Sequence, residues 1–154
     1  MRITIVALGS RGDVQPFVPL GRGLQAAGHH VRVATFEDFG ELIRSAGREF
    51  SPVRGDAQAL LGAASQNGDL IRHQNPLLAF RALQRSYGTL AQNLADDLTG
   101  ALRGSDLLLN QLPGNLFGPE LAEFLHIPLA IVSVIPLAAT ATGRCLGFLR
   151  CPGK

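Results

Sequence analysis

The chain has 154 residues, of which 46% are hydrophobic and 17% charged, and its formal net charge is +2. This length fits one domain with a buried core, and the apolar share excludes an intrinsically disordered chain. The small net charge, the absence of Trp and the single Tyr argue against a nucleic-acid-binding surface. Two Cys residues make no disulfide framework, and neither a leader nor a membrane-spanning segment is predicted, so we expect a cytoplasmic protein.

Short β-branched or leucine-rich runs alternate with helical patterns along the chain, which predicts an α/β fold with a parallel sheet. Five strands are expected, over Arg2–Leu8, His30–Thr35, Glu49–Val53, Asp106–Asn110 and Ile127–Val134. Helices are expected from Gln15 to a stop at Gly28, over Phe39–Ala46, over Ala57–Ala64, from Asn75 to Gly104, and over Pro119–Leu125. The predicted fold class is therefore a Rossmann-like parallel sheet with helices on both faces.

The segment Gly9–Pro16, between the first strand and the first helix, carries the sharpest functional signal. Ligands of open α/β sheets bind beyond the carboxyl ends of the strands, which is where this segment is expected to lie. Its two glycines let the backbone approach a ligand, and helix N-terminal N–H groups favour anions. The segment therefore suits a phosphate or a sugar hydroxyl, although a tight turn explains the same residues. It has neither the dinucleotide fingerprint nor the Walker pattern.

Asp13, in the middle of this segment, is open to two interpretations. A carboxylate at the end of a strand can accept a proton from a hydroxyl nucleophile. Asp is also favoured at helix N-caps, and capping alone would explain its presence. The sequence pattern by itself does not separate these roles.

The run Arg2–Phe17 (RITIVALGSRGDVQPF), followed by Ala27–Val31 (AGHHV), resembles the opening of the glycosyltransferase family 28 N-terminal domain. Looser signals extend the resemblance to about residue 137. Such domains occur in sterol- and natural-product-type glucosyltransferases with the two-domain GT-B fold. The resemblance implies an inverting transfer of a hexose from a nucleotide-diphosphate sugar to a lipid, sterol or small-molecule hydroxyl.

The resemblance also implies roles for individual residues. In such enzymes the N-terminal domain holds the acceptor and supplies the base, and a second domain holds most of the nucleotide. Asp13 is then the catalytic base, and the residues expected near the diphosphate and sugar of the donor are Gly9, Ser10, Arg11 and Gly12.

Five further residues are predicted to contact the acceptor. His73 lies in an irregular region that borders the acceptor in the related proteins. The others follow the fourth and fifth strands at the same edge of the sheet as Asp13; they are Asn110, Pro113, Ser133 and Pro136. Polar side chains there, including Gln111, can orient an acceptor or steady Asp13, although turn and loop roles explain the same residues.

Residues 1–137 are predicted to form the acceptor-binding domain, and residues 138–154 an irregular tail. A donor-binding domain is not recognisable in the sequence, so we expect the chain to be inactive alone and to need a separate donor-binding domain or subunit. No metal site and no cofactor are predicted, only a nucleotide sugar as co-substrate. A lipid acceptor would favour peripheral membrane association. The alternative is a non-enzymatic α/β module that binds an anionic or lipid ligand.

Overall fold

The structure, a computed structural model, describes residues 1–55, 92–112 and 118–134. Its centre is a five-stranded sheet in which every neighbouring pair of strands is parallel. The strands are β1 (Arg2–Val6), β2 (His30–Phe36), β3 (Glu49–Val53), β4 (Leu107–Leu112) and β5 (Leu129–Ser133). Their spatial order is β3-β2-β1-β4-β5. The predicted Rossmann-like parallel sheet is confirmed.

Helices cover both faces of this sheet, as the buried, β-branched strands require. They are α1 (Arg11–Val14), α2 (Phe17–Ala26), α3 (Gly40–Ser45), the helical segment α4 (residues 92–102) and α5 (Gly118–Leu125). One apolar cluster joins the sheet to α1, α2 and α3, and we call this side the α2 face. A second cluster joins the opposite side of the sheet to α4 and α5, and we call it the α4 face.

Two predicted boundaries differ from the observed ones in ways that bear on function. The first helix was expected to open at Gln15, but a separate turn of helix, α1, precedes it, and α2 begins only after Pro16. The fourth strand was expected to end at Asn110, but β4 continues to Leu112 because its pairing with β5 extends to Ser133. Asn110 and Gln111 therefore lie inside the strand, where successive side chains point to opposite faces.

The remaining described elements agree with the predictions in order and type, but β1 ends at Val6 instead of Leu8, and β5 spans Leu129–Ser133 instead of Ile127–Val134. Gly28 ends α2 as predicted, with a positive φ of 85° that glycine adopts without strain. The predicted helix over Ala57–Ala64, the first part of the helix from Asn75 and the tail 138–154 fall outside the described residues. In the part of the chain that the structure describes, no helix has the length and apolar character needed to span a bilayer.

The strand order fixes where a ligand is expected to bind. The chain moves outward from β1 through β2 to β3 and then returns to the other side of β1 to form β4. This reversal makes the gap between the carboxyl ends of β1 and β4 the topological switch point, where open α/β sheets form their ligand crevice. The segment after β1 and the last residues of β4 meet at this gap.

Candidate functional site

Asp13 lies at the switch point, in the short helix that follows β1. Ser10 is the N-cap of α1 and Asp13 is its third residue, so the structure corrects the alternative in which Asp13 itself is the cap. The Oδ2 atom of Asp13 accepts hydrogen bonds from the Ser10 backbone N–H and from the Ser10 hydroxyl, both at 2.8 Å. This contact satisfies a backbone donor at the helix start and holds one oxygen of the carboxylate in place.

The other oxygen of Asp13 faces β4. The Gln111 side-chain amide donates from Nε2 to Oδ1 at 3.3 Å, across 98 positions of sequence. A carboxylate has about four acceptor positions, and the hydrogen bonds from the described residues leave one of them on Oδ1. Asp13 is also only half-buried. The carboxylate is thus oriented by the protein while one oxygen remains able to accept a proton from a ligand hydroxyl.

Gly9 makes room for this carboxylate. Its φ of +141° is a conformation that L side chains rarely adopt. A Cβ built on Gly9 would lie 2.5 Å from Oδ2 of Asp13 and 2.9 Å from Cγ, closer than real contacts allow. The Asp13 side chain therefore packs directly over the Gly9 backbone. The predicted contact of Gly9 with a donor stays a prediction, and the structure adds a role in seating the carboxylate.

Gly12 is different, because the fold does not require glycine at that position. It has no positive φ, and an added Cβ would make only an ordinary 3.6 Å contact with the Ser10 hydroxyl oxygen. Ser10, Arg11 and Gly12 are all exposed, and the first N–H groups of a helix have no partner within it. This surface has the access that the predicted donor contacts need.

The predicted acceptor residues fall into three groups. Asn110 is fully buried on the α4 face, packed against Gly118 of α5, so the sheet separates its side chain from Asp13. Ser133 ends β5 at the same edge of the sheet, two strands from β1, or about 10 Å away. The others, His73, Pro113 and Pro136, lie outside the described residues. Acceptor contacts by all five stay predictions.

Gln111 was named only in passing from the sequence, but it is the β4 residue that the structure brings into contact with Asp13. Strand alternation is the signal that could have found it. Leu109 belongs to the apolar cluster of the α2 face, so Gln111, two residues later, points to the same face. That is the face on which α1 packs through Val14, whereas Asn110 points away from it.

Ion pairs lie at both ends of the strands. At the carboxyl edge, the Arg54 guanidinium contacts the Asp97 carboxylate of α4 at 2.9 Å, and the Arg54 N–H donates to the same carboxylate at 2.8 Å. Burial opposes ionisation of Asp97, but the hydrogen bonds from Arg54 outweigh it and lower the pKa of this carboxyl. At the opposite edge, hydrogen bonds from the backbone and side chain of Arg2 lower the pKa of Asp106. Both pairs have structural roles.

Metal ligands do not cluster near Asp13 in the described ranges. Over residues 1–55, 92–112 and 118–134, no three His, Cys, Asp or Glu side chains come close enough together to hold an ion. What the site offers chemically is an oriented carboxylate, exposed backbone at Ser10–Gly12 and the guanidinium of Arg11. These groups suit proton transfer from a hydroxyl next to an anionic leaving group.

Known proteins similar to this chain are glycosyltransferases. The sequence profile of the glycosyltransferase family 28 N-terminal domain matches residues 3–97. A sterol 3-beta-glucosyltransferase of Gibberella zeae is 36% identical over 141 residues, which cover 91% of this chain and 9% of that protein. A UDP-sugar-dependent glycosyltransferase of Dictyostelium discoideum is 33% identical over 143 residues, which cover 92% of this chain and 8% of that protein.

A similar solved structure is the glycosyltransferase SsfS6 of Streptomyces sp. SF2575 in complex with thymidine diphosphate. It superposes with a TM-score of 0.62 at 28% identity, over 86% of this chain and 38% of SsfS6. Structures of this kind have the GT-B fold, and the sheet described above corresponds to one of its two domains. The chain spans less than a tenth of the length of the two curated relatives.

Proposed function

The chain belongs to the glycosyltransferase family 28 N-terminal domain family, and we propose that it is the acceptor-binding half of an inverting glycosyltransferase with Asp13 as its base. Activity then requires a second, donor-binding domain that closes over the carboxyl edge of the sheet. Two surfaces brought together in this way position the reactants and exclude water, and one surface alone does neither.

The observation that carries the proposal is the state of the Asp13 carboxylate. Its Oδ2 accepts two hydrogen bonds from Ser10, and among the described residues its Oδ1 has one hydrogen bond and one remaining acceptor position. If Asp13 only accepted hydrogen bonds at the start of α1, Oδ2 would be sufficient and Oδ1 would need no partner. The half-buried position at the switch point puts Oδ1 where ligands of such sheets bind.

The proposed reaction is a single displacement. The acceptor hydroxyl gives its proton to Oδ1 of Asp13 while its oxygen forms a bond to the anomeric carbon of the donor sugar. The bond from that carbon to the diphosphate breaks, and the diphosphate leaves with the electron pair. Attack from the face opposite the leaving group inverts the anomeric configuration. A positioned base typically accelerates such a step by about 10²–10⁴-fold.

The names of the relatives guide the choice of substrates. The Gibberella zeae protein is named a sterol 3-beta-glucosyltransferase, and the Dictyostelium discoideum protein is named a UDP-sugar-dependent glycosyltransferase. We therefore propose a UDP-hexose donor and a sterol or similar lipid hydroxyl as acceptor. Exposed backbone at Ser10–Gly12 and the Arg11 guanidinium are the groups proposed to approach the diphosphate, with no metal ion and no further cofactor. A lipid acceptor also favours peripheral contact with a membrane.

The proposal is tested by joining the chain in frame to the nucleotide-binding domain of a family 28 relative. The fusion is supplied with labelled UDP-glucose and a sterol, and the anomeric configuration of the product is read by proton NMR. We expect turnover with inversion by the fusion and none by the chain alone. Asp13→Asn keeps the size of the side chain and removes the base, so the rate should fall by about 10²–10⁴-fold with the acceptor still bound.

The matched control is Glu123→Gln, which also replaces a carboxylate by its amide, here at an exposed position. Glu123 lies near the end of α5, which leads into the start of β5 and so to the opposite edge of the sheet. The transfer rate of the fusion that carries Glu123→Gln should equal that of the unmodified fusion. An unchanged rate in Asp13→Asn leaves Asp13 only its role at the helix start. No turnover by the unmodified fusion favours a non-enzymatic binding module.

A further inference from the structure

Gln111 is a fully buried polar residue with no apparent structural need for its polarity. It lies in β4 with no exposed surface, and its neighbours on the α2 face are apolar side chains such as Leu109 and Val14. Burying an amide in such surroundings costs free energy unless its hydrogen bonds are made. An apolar side chain of the same length would fill the space without that cost.

Among the described residues, only one end of this amide has a hydrogen-bond partner. Nε2 donates to Oδ1 of Asp13 at 3.3 Å, and because a carboxylate only accepts, this contact fixes which end of the amide faces Asp13. Oε1 is buried and has no hydrogen-bond partner among the described residues. Half-satisfied buried amides are unfavourable for stability, and among the described residues the contact with Asp13 is the hydrogen bond that a glutamine side chain adds at this position.

We propose that Gln111 is a positioning residue for the base, an inference that rests on the proposed function of Asp13. Ser10 fixes Oδ2 from the helix side, and Gln111 fixes Oδ1 from the neighbouring strand. Because both oxygens are held, the carboxylate keeps one rotamer. The remaining lone pair of Oδ1 then points in one direction, toward the hydroxyl of the bound acceptor. Without Gln111, only the hydrogen bonds from Ser10 to Oδ2 oppose rotation of the carboxylate about its bond to Cβ.

The first test is Gln111→Met in the fusion described above. Methionine matches the length of glutamine and carries no donor. We expect the maximal rate to fall about 10–100-fold, because a small misplacement of a reacting group costs up to about 10²-fold, while the KM for the acceptor stays unchanged. In the 154-residue chain alone, the Tm of Gln111→Met should equal or exceed that of the unmodified chain, because a half-satisfied amide has been removed.

The second variant, Gln111→Glu, keeps the shape and replaces the donor by a second carboxylate. Two carboxylates in contact cannot both ionise easily, so they bind a shared proton to higher pH. The pH at which the rate reaches half its maximum should therefore move upward. Gln111→Met should lower the rate without this upward movement. A structural role for Gln111 predicts no such difference between the two variants.

A double-mutant cycle separates this inference from the proposed function. If Gln111 acts through Asp13, Gln111→Met has no further effect on the rate of Asp13→Asn. A slow Asp13→Asn with an unaffected Gln111→Met overturns the positioning role and leaves the base in place. A fully active Asp13→Asn overturns both proposals. A Tm in Gln111→Met lowered by many degrees, with a rate loss that matches the unfolded fraction, also overturns the positioning role.

Discussion

Replacing Gly9 with Ala should destabilise the chain and displace the proposed base at the same time. Gly9 has a φ of +141°, and holding a residue with a Cβ in such a conformation costs about 1–3 kcal/mol. The new Cβ would lie 2.5 Å from Oδ2 of Asp13, so the carboxylate must move away from Ser10. Weakening those half-exposed hydrogen bonds adds about 1 kcal/mol. The expected loss of unfolding free energy is about 2–4 kcal/mol.

The assay is urea unfolding of the 154-residue chain, with Gly23→Ala as the matched control. Gly23 is exposed within α2, has no positive φ, and a Cβ there would meet nothing within 4 Å. Since alanine is the better helix former, Gly23→Ala should raise the unfolding free energy by about 0.5–1 kcal/mol. The two substitutions are chemically identical, and their effects on the unfolding free energy should have opposite signs. Equal stability of Gly9→Ala and the unmodified chain would refute the argument that Asp13 is seated on Gly9.

Three other substitutions test separate parts of the structure. Gly12→Ala should leave the Tm of the chain unchanged or higher, because the fold has room for the added Cβ. In the fusion it should raise the KM for the nucleotide sugar, and an unchanged KM argues against close approach of the donor to Gly12. Thr35→Val should raise the unfolding free energy by about 1–2 kcal/mol in urea, because the buried Thr35 hydroxyl has no hydrogen-bond partner in the part of the chain that the structure describes; a loss of stability would contradict this. Asp97→Asn should cost stability at neutral pH and progressively less at acid pH. The lowered pKa of Asp97 means that its stabilisation is present above its unfolded-state pKa of about 3.9 and is lost as pH falls through the folded-state pKa. The difference in unfolding free energy between Asp97→Asn and the unmodified chain, measured from pH 7 to pH 2, checks this, and a difference that grows toward acid pH refutes it.

The order and type of the described elements could be predicted from the sequence because local signals specify them. Apolar runs of strand length alternate with helical periodicity, and glycines such as Gly28 mark the helix ends. The two displaced boundaries depend on tertiary contacts that local patterns do not carry. The extension of β4 comes from its pairing with β5, and the turn of α1 depends on the contact between Ser10 and Asp13.

The candidate site was predictable only in part. Asp13 could be identified as a base through the resemblance of its segment to a family, since capping explains the same residue. Its partner Gln111 is 98 positions away, and only the register of β4 beside β1 brings them together. The packing of Asp13 over Gly9 likewise depends on the backbone conformation of Gly9. Glycine allows this conformation, but it allows many others as well. The register between distant strands and the directions of their side chains could therefore not be predicted from the sequence pattern.

The most direct test of the central claim is the maximal transfer rate of the fusion carrying Asp13→Asn, measured at saturating sterol and UDP-glucose. If Asp13 takes the proton of the acceptor hydroxyl, this rate falls at least about 100-fold, while Glu123→Gln has the rate of the unmodified fusion. A rate for Asp13→Asn within about threefold of the unmodified fusion, well below the effect of a general base, would contradict the claim.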